Sequence, residues 1–151
     1  MEFEVKEGIK KKLDEQDHKL LVLWATDCAE HVLPYFEKEY PKDDRPRKAI
    51  EMGRAWTRNE ITMSEIRTAA FAAHASARTT DIPAARAAAR SAGQAVATAH
   101  VVGHAPHAAN YAVIAAEASN IVKEREWQYK HLPKHLRSIV FKKHNQRNKQ
   151  K

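Results

Sequence analysis

Between Ala69 and Ala118, 22 of 50 residues are alanine and only five are charged. No other feature of the chain restricts its fold as strongly. Alanine is the best helix former, because it loses no side-chain entropy in a helix and hides no polar group. It also offers little apolar area to bury, so such helices must approach closely while their neighbours supply the larger side chains. Trp24, Phe36, Trp56 and Phe71 are the expected suppliers. Four glycines, few β-branched runs and no Asn-Gly or Asp-Gly turn leave little from which to build a sheet. The expectation is an all-α, single-domain helical bundle of about five to seven helices with a central alanine-rich helix pair.

Start and stop marks divide the chain. The charged segment Glu4 to Asp14 reads as a short first helix. The next begins near Asp17 and carries Leu20, Leu21, Leu23, Trp24, Cys28, Val32 and Phe36. Pro34 divides it, since proline lacks the N–H of the helical ladder, and Tyr40-Pro41 ends it. In KDDRPRKAIEMGRAW, Asp43 or Asp44 caps a helix that has Pro46 in its first turn. Thr62 and Glu65 have capping-box spacing ahead of Ile66, Ala69, Ala70, Ala73 and Ala77. Asp81 with Pro83 opens a helix running to about His100. Gly103 and Pro106 mark a break or kink, after which a helix carries Tyr111, Val113, Ile114 and Ile121 towards Trp127. Pro133 opens a last amphipathic helix with Leu136, Ile139, Val140 and Phe141. The bundle domain is expected over residues 1–144, followed by a disordered basic tail over 145–151.

The net charge of +7 is unevenly placed. From Lys123 to Lys151, ten Lys or Arg stand against two Glu, which leaves residues 1–122 at −1. A near-neutral body argues against a phosphate-holding groove through the fold, and equally against an acidic surface that imitates nucleic acid. The segment Lys123–Lys151, with Trp127, Tyr129 and Phe141 among its cations, is the one electrostatic ground for nucleic-acid binding. Its alternative is an amphipathic helix docked on the bundle with a solvated cationic face. A single cysteine, Cys28, precludes an intrachain disulfide, and with no base close before it the thiol reads as buried and inert. No apolar run has the length of a signal-peptide core or a membrane span, so a cytoplasmic protein without membrane contact is expected. Alanine faces also suit contacts between chains, which makes a homo-oligomer, most simply a homodimer, a further expectation.

Chemistry is concentrated in AHVVGHAPHAANY at residues 99–111. On one continuous helix His100, His104, His107 and Tyr111 lie within about 60° of one another, in a stripe shared with Gly93 and Ala97. His100 and His104 have the spacing of helical zinc ligands. His74 as a third ligand, with Asp27 or Glu30 as an oxygen donor, would make a metal-dependent enzyme that activates water. No glutamate stands between the pair to act as base. The other reading makes these histidines neutral hydrogen-bonding partners between central helices, with no metal, cofactor or catalytic residue. Asp43-Asp44-Arg45-Pro46-Arg47 likewise reads two ways. It is a charged surface or anion clamp at a helix start, or a structural tie in which one arginine reaches back to Asp27 or Glu30. No nucleophile elbow surrounds Ser64, Ser76, Ser91 or Ser119, and neither a glycine-rich phosphate loop nor a C-x-x-C pair occurs.

LWATDCAEHVLPYFEKEYPKDDRPRKAIEMGRAWTRNEI, then RTAAFAAHASAR, then ARSAGQAVATAHVVGHAPHAANYA, together resemble a family of putative immunity proteins of bacterial polymorphic-toxin systems, over residues 20 to 118. The most specific pieces are D-x-R-P-R-x-A-I at Asp43–Ile50, Ala73-His74, and A-T-A-H ending at His100. The resemblance implies a small helical, non-catalytic protein whose partner is a cognate toxin. The basic C-terminal segment lies outside it.

Overall fold

The structure, a computed structural model, describes residues 3–118 and 123–143. Helix α1 (Glu15–Val32) starts where the Asp14 carboxylate accepts the Asp17 N–H at 2.8 Å. Pro34 opens the single-turn α2 (Pro34–Glu37), so the division falls at Leu33, as the missing proline N–H requires. Helix α3 (Arg45–Thr57) has Pro46 in its first turn. Thr62 and Glu65 form a reciprocal capping box ahead of α4 (Met63–Arg78). Helix α5 (Pro83–Ala97) opens on its proline. Asp81 does not cap it; the Thr80 hydroxyl accepts the Ile82 N–H at 3.1 Å, and Asp81 turns to Arg86. After a reversal come α6 (His104–Ala118), α7 (Glu124–His131), a 3-10 turn at Lys134–Leu136, and α8 (Arg137–Val140).

Helix α5 is the centre of the bundle. It is flanked by α4 and α6 and covered by α1, α2 and α3. Ala85, Ala88, Ala92 and Ala95 of α5 and Ala105, Ala108, Ala112 and Ala116 of α6 have no exposed surface, so the alanine faces are covered within one chain. Close approach lets the Ser91 hydroxyl donate to the Ala108 carbonyl at 2.8 Å across this pair. Gly53 of α3 permits a similar approach to α1, since a Cβ there would come within 2.9 Å of Thr26 Cγ2. Leu21, Val22, Leu33, Phe36, Ile50, Ile66 and Val96 fill the spaces that alanine leaves. Trp24 donates its indole N–H to the Gln128 carbonyl at 2.8 Å, and buried Gln128 donates to the Ala109 carbonyl, which anchors α7 on α1 and α6.

Four expectations are corrected. Glu4 to Asp14 is not a helix. Val5 is buried and makes an antiparallel bridge with Phe141, while the Lys6 and Lys142 N–H groups donate to Val140 and Glu4 at 2.8 and 2.7 Å. Val5, Ile9 and Leu13 have helical spacing, but Gly8 and the run Lys10–Lys12 interrupt the stretch, and Val5 is held by the bridge to Phe141 in place of a helical turn. Phe71 is 73% exposed, because α4 buries Ile66, Ala73 and Ala77 and position 71 lies on the far side. Helix α5 stops at Ala97 rather than His100. The last helix is a 3-10 turn and a short α8, and Phe141 is extended. Ile121 and the segment 145–151 lie outside the described residues. No helix among the described residues is long and apolar enough to cross a membrane.

Candidate functional site

The histidines of interest sit where α4, α5 and α6 meet. Between Ala97 and His104 the chain must reverse so that α6 can pack along α5, and His100 stands exposed in that reversal. The continuous stripe of His100, His104, His107 and Tyr111 is therefore broken before His104, not at Pro106. Proline in the first turn of α6 sacrifices no helical bond, and Pro106 is buried there without a break. His104 opens α6 and donates its Nδ1–H to Gln94 Oε1 at 2.8 Å. On the other flank of α5, His74 Nδ1 accepts from the Arg90 guanidinium at 2.9 Å. The His74 ring lies over Gly93, where a Cβ would come within 2.6 Å of Nε2. Burial, and then the Arg90 charge, push His74 below the ordinary histidine value. Burial, then His107, do the same to His104. Both rings are neutral at neutral pH. His107 is exposed on α6 and Tyr111 half-buried.

The proposed ligand set of His74, His100 and His104 with Asp27 or Glu30 is not assembled. No three His, Cys, Asp or Glu side chains among the described residues come together as a metal-holding group. His74 meets a cation at Nδ1, His104 is turned to an amide, and Asp27 and Glu30 are both engaged by Arg54 at 2.8 and 2.7 Å.

Asp43 does the work that the D-x-R-P-R pattern assigns to one of its aspartates. Its Oδ1 accepts the Arg45 backbone N–H at 3.1 Å and Nε–H at 2.9 Å. Its Oδ2 accepts from Arg45 Nη2 and from the Ser76 hydroxyl of α4, each at 2.8 Å. The Arg45 guanidinium foremost, with the backbone amide and Ser76, lowers the carboxyl to about 2. Asp44 is exposed and makes no side-chain cap. Arg47 grips Glu37 through Nε and Nη2 at 2.7 and 2.9 Å, with Nη1 at 3.5 Å from Glu30. The sequence Glu37–Arg47–Glu30–Arg54–Asp27 thus forms one alternating chain across α2, α3 and α1. Both guanidinium groups of the motif are thus engaged by carboxylates, Arg45 by Asp43 and Arg47 by Glu37. Sequence reasoning missed Arg54. Its signal is its place about two helical turns after Arg47, on the same face.

The aromatic residues of the C-terminal segment are engaged internally. Trp127 stacks between His31 at 3.7 Å and His131 at 3.9 Å, and Tyr129 stacks on Phe141 at 5.0 Å. Buried Glu124, which no motif announced, accepts from His31 Nδ1 at 2.7 Å. Cys28 is buried, and burial pushes its thiol well up, so it is no nucleophile. Between the N-terminal segment and α8 lies an open cleft of about 630 Å³ lined by Lys6, Lys10, Lys11 and Lys142 among others.

A family model described as Imm-5 like putative immunity protein matches residues 11–135 of this chain. No curated protein matches it, and no solved structure does.

Proposed function

Because the chain belongs to the Imm-5 like putative immunity protein family, we propose that it is a non-catalytic binding module that neutralises a cognate toxin by holding it in a complex. The observation that carries this reading is the extent of the family match, which takes in the whole helical body from before α1 to the turn after α7. Of the residues the metal-enzyme reading names, His74 and His104 bond Arg90 and Gln94, Asp27 and Glu30 bond Arg54, and His100 is exposed in the reversal before α6. The nucleic-acid reading of Lys123–Lys151 loses its stacking groups, since Trp127 and Tyr129 already have partners. Co-expression with a candidate toxin domain, sought among the genes that flank this one, tests the proposal. A stable complex is the expected result; two proteins that elute separately at micromolar concentration argue against it.

A further inference from the structure

The outer surface of the α4–α5–α6 layer is unlike the rest of the molecule. Between Lys48 and Lys123 the chain contains no lysine, so every cation on this layer is an arginine. Arg67 and Arg78 are exposed, and with Phe71 and His74 they recur along one face of α4. Next to them Arg90 of α5 donates to neutral His74 and, like Arg67 and Arg78, has no carboxylate within ion-pair distance among the described residues. Of the other arginines, Arg45 pairs with Asp43, Arg47 with Glu37, Arg54 with Asp27 and Glu30, Arg58 with Glu60 and, on this same layer, Arg86 with Asp81, while Arg125 and Arg137 bond side-chain amides and backbone carbonyls. Of the acids on this layer, Glu65 is committed to the capping box at the start of α4 and Asp81 lies 3.5 Å from Arg86. Apolar side chains are exposed on the same layer: Phe71 of α4 at 73% and Ile114 of α6 at 47%.

Unpaired arginine around an exposed aromatic is the composition of a protein interface core, where arginine is enriched and lysine depleted. Guanidinium is weakly hydrated and takes carboxylate through two parallel bonds, so it tolerates the desolvation that a buried contact imposes. A second copy of this chain fits poorly, because apposing the same face would set arginine against arginine. We infer that the α4–α5–α6 face, centred on Phe71 and Arg90, is the docking surface for an acidic protein partner that presents carboxylates around an apolar side chain. The inference rests on the reading of the chain as a toxin-binding module and specifies where and with what chemistry the partner docks.

The test is to titrate the isotope-labelled full chain with a synthetic peptide of glutamates interspersed with leucine and phenylalanine. Amide shifts should gather on the exposed positions of α4, α5 and α6. Arg67→Glu and Phe71→Ala replace exposed side chains and should each weaken binding about five- to tenfold, while Lys134→Glu, at an exposed lysine of the 3-10 turn outside this layer, changes it less than about twofold. Shifts confined to the lysine cleft at Lys6–Lys11, no shifts at all, or a short oligonucleotide that displaces the peptide from this face would overturn the inference. Full toxin neutralisation by the Arg67→Glu/Phe71→Ala double variant also overturns it while leaving the immunity reading intact. A chain that neutralises no toxin yet still maps the peptide to this face removes that reading and leaves the surface standing.

Discussion

Asp43 holds the entry to α3, the side chain of Arg45 and, through Ser76, the helix α4. Its carboxyl sits at about 2 in the folded protein against an ordinary 3.8. The unfolded chain therefore binds the proton more readily. This contribution to stability is complete above the ordinary value and is lost as pH falls from about 4 towards 2. Asp43→Asn should cost about 1–2 kcal/mol at neutral pH, allowing for solvent screening of a side chain still partly open to water. It should also flatten the acid limb of the stability curve, and urea unfolding across that pH range measures both. An unchanged acid limb would mean that Arg45 is not bound as described. The residues of this tie were legible because D-x-R-P-R sets acid, cation and first-turn proline together. Arg54 was missed because its partners Asp27 and Glu30 lie on another helix, and no local pattern joins them.

At the scale of elements, the contact of α4 with α5 depends on Gly93. Gly93→Ala raises helix propensity by about 1 kcal/mol, but its Cβ would meet the His74 ring at 2.6 Å and force it off Arg90. The net effect should be a loss of about 1–3 kcal/mol, as overpacking usually gives. Combining it with His74→Ala, which clears the space, should recover most of that loss, so the two substitutions are strongly non-additive in thermal unfolding. Simple additivity would place the ring elsewhere. His74 and His104 add an acid sensitivity of their own. Both are held below the ordinary histidine value, so protonation favours the unfolded chain. Stability should be full above about pH 6.5 and fall on acidification below it, and less steeply in His74→Ala. Helix existence, the Pro34 division and the Thr62–Glu65 box were readable because each rests on local chemistry. The facing of α4 was not, since Ala69, Ala70, Ala72, Ala73, Ala75 and Ala77 make it apolar nearly all round and leave Phe71 without a preferred side. The α5–α6 reversal and the Val5–Phe141 bridge are set by packing between distant segments, which periodicity does not register.

For the molecule as a whole, the sum of −1 over residues 1–122 conceals a layer, residues 63–118, that has arginine but no lysine: Arg67, Arg78, Arg86 and Arg90 stand there with Glu65, Asp81 and Glu117. A complex formed through that layer should weaken as salt rises, though less steeply than a contact with phosphates, because its centre is apolar. The central claim is that this member of the Imm-5 like family protects by binding. It is tested most directly by growth of cells that express a candidate toxin domain from a flanking gene, with and without this chain. The wild-type chain should restore growth and copurify with the toxin domain as a stoichiometric complex. Growth restored with no complex formed, or a complex formed with no growth restored, would contradict it.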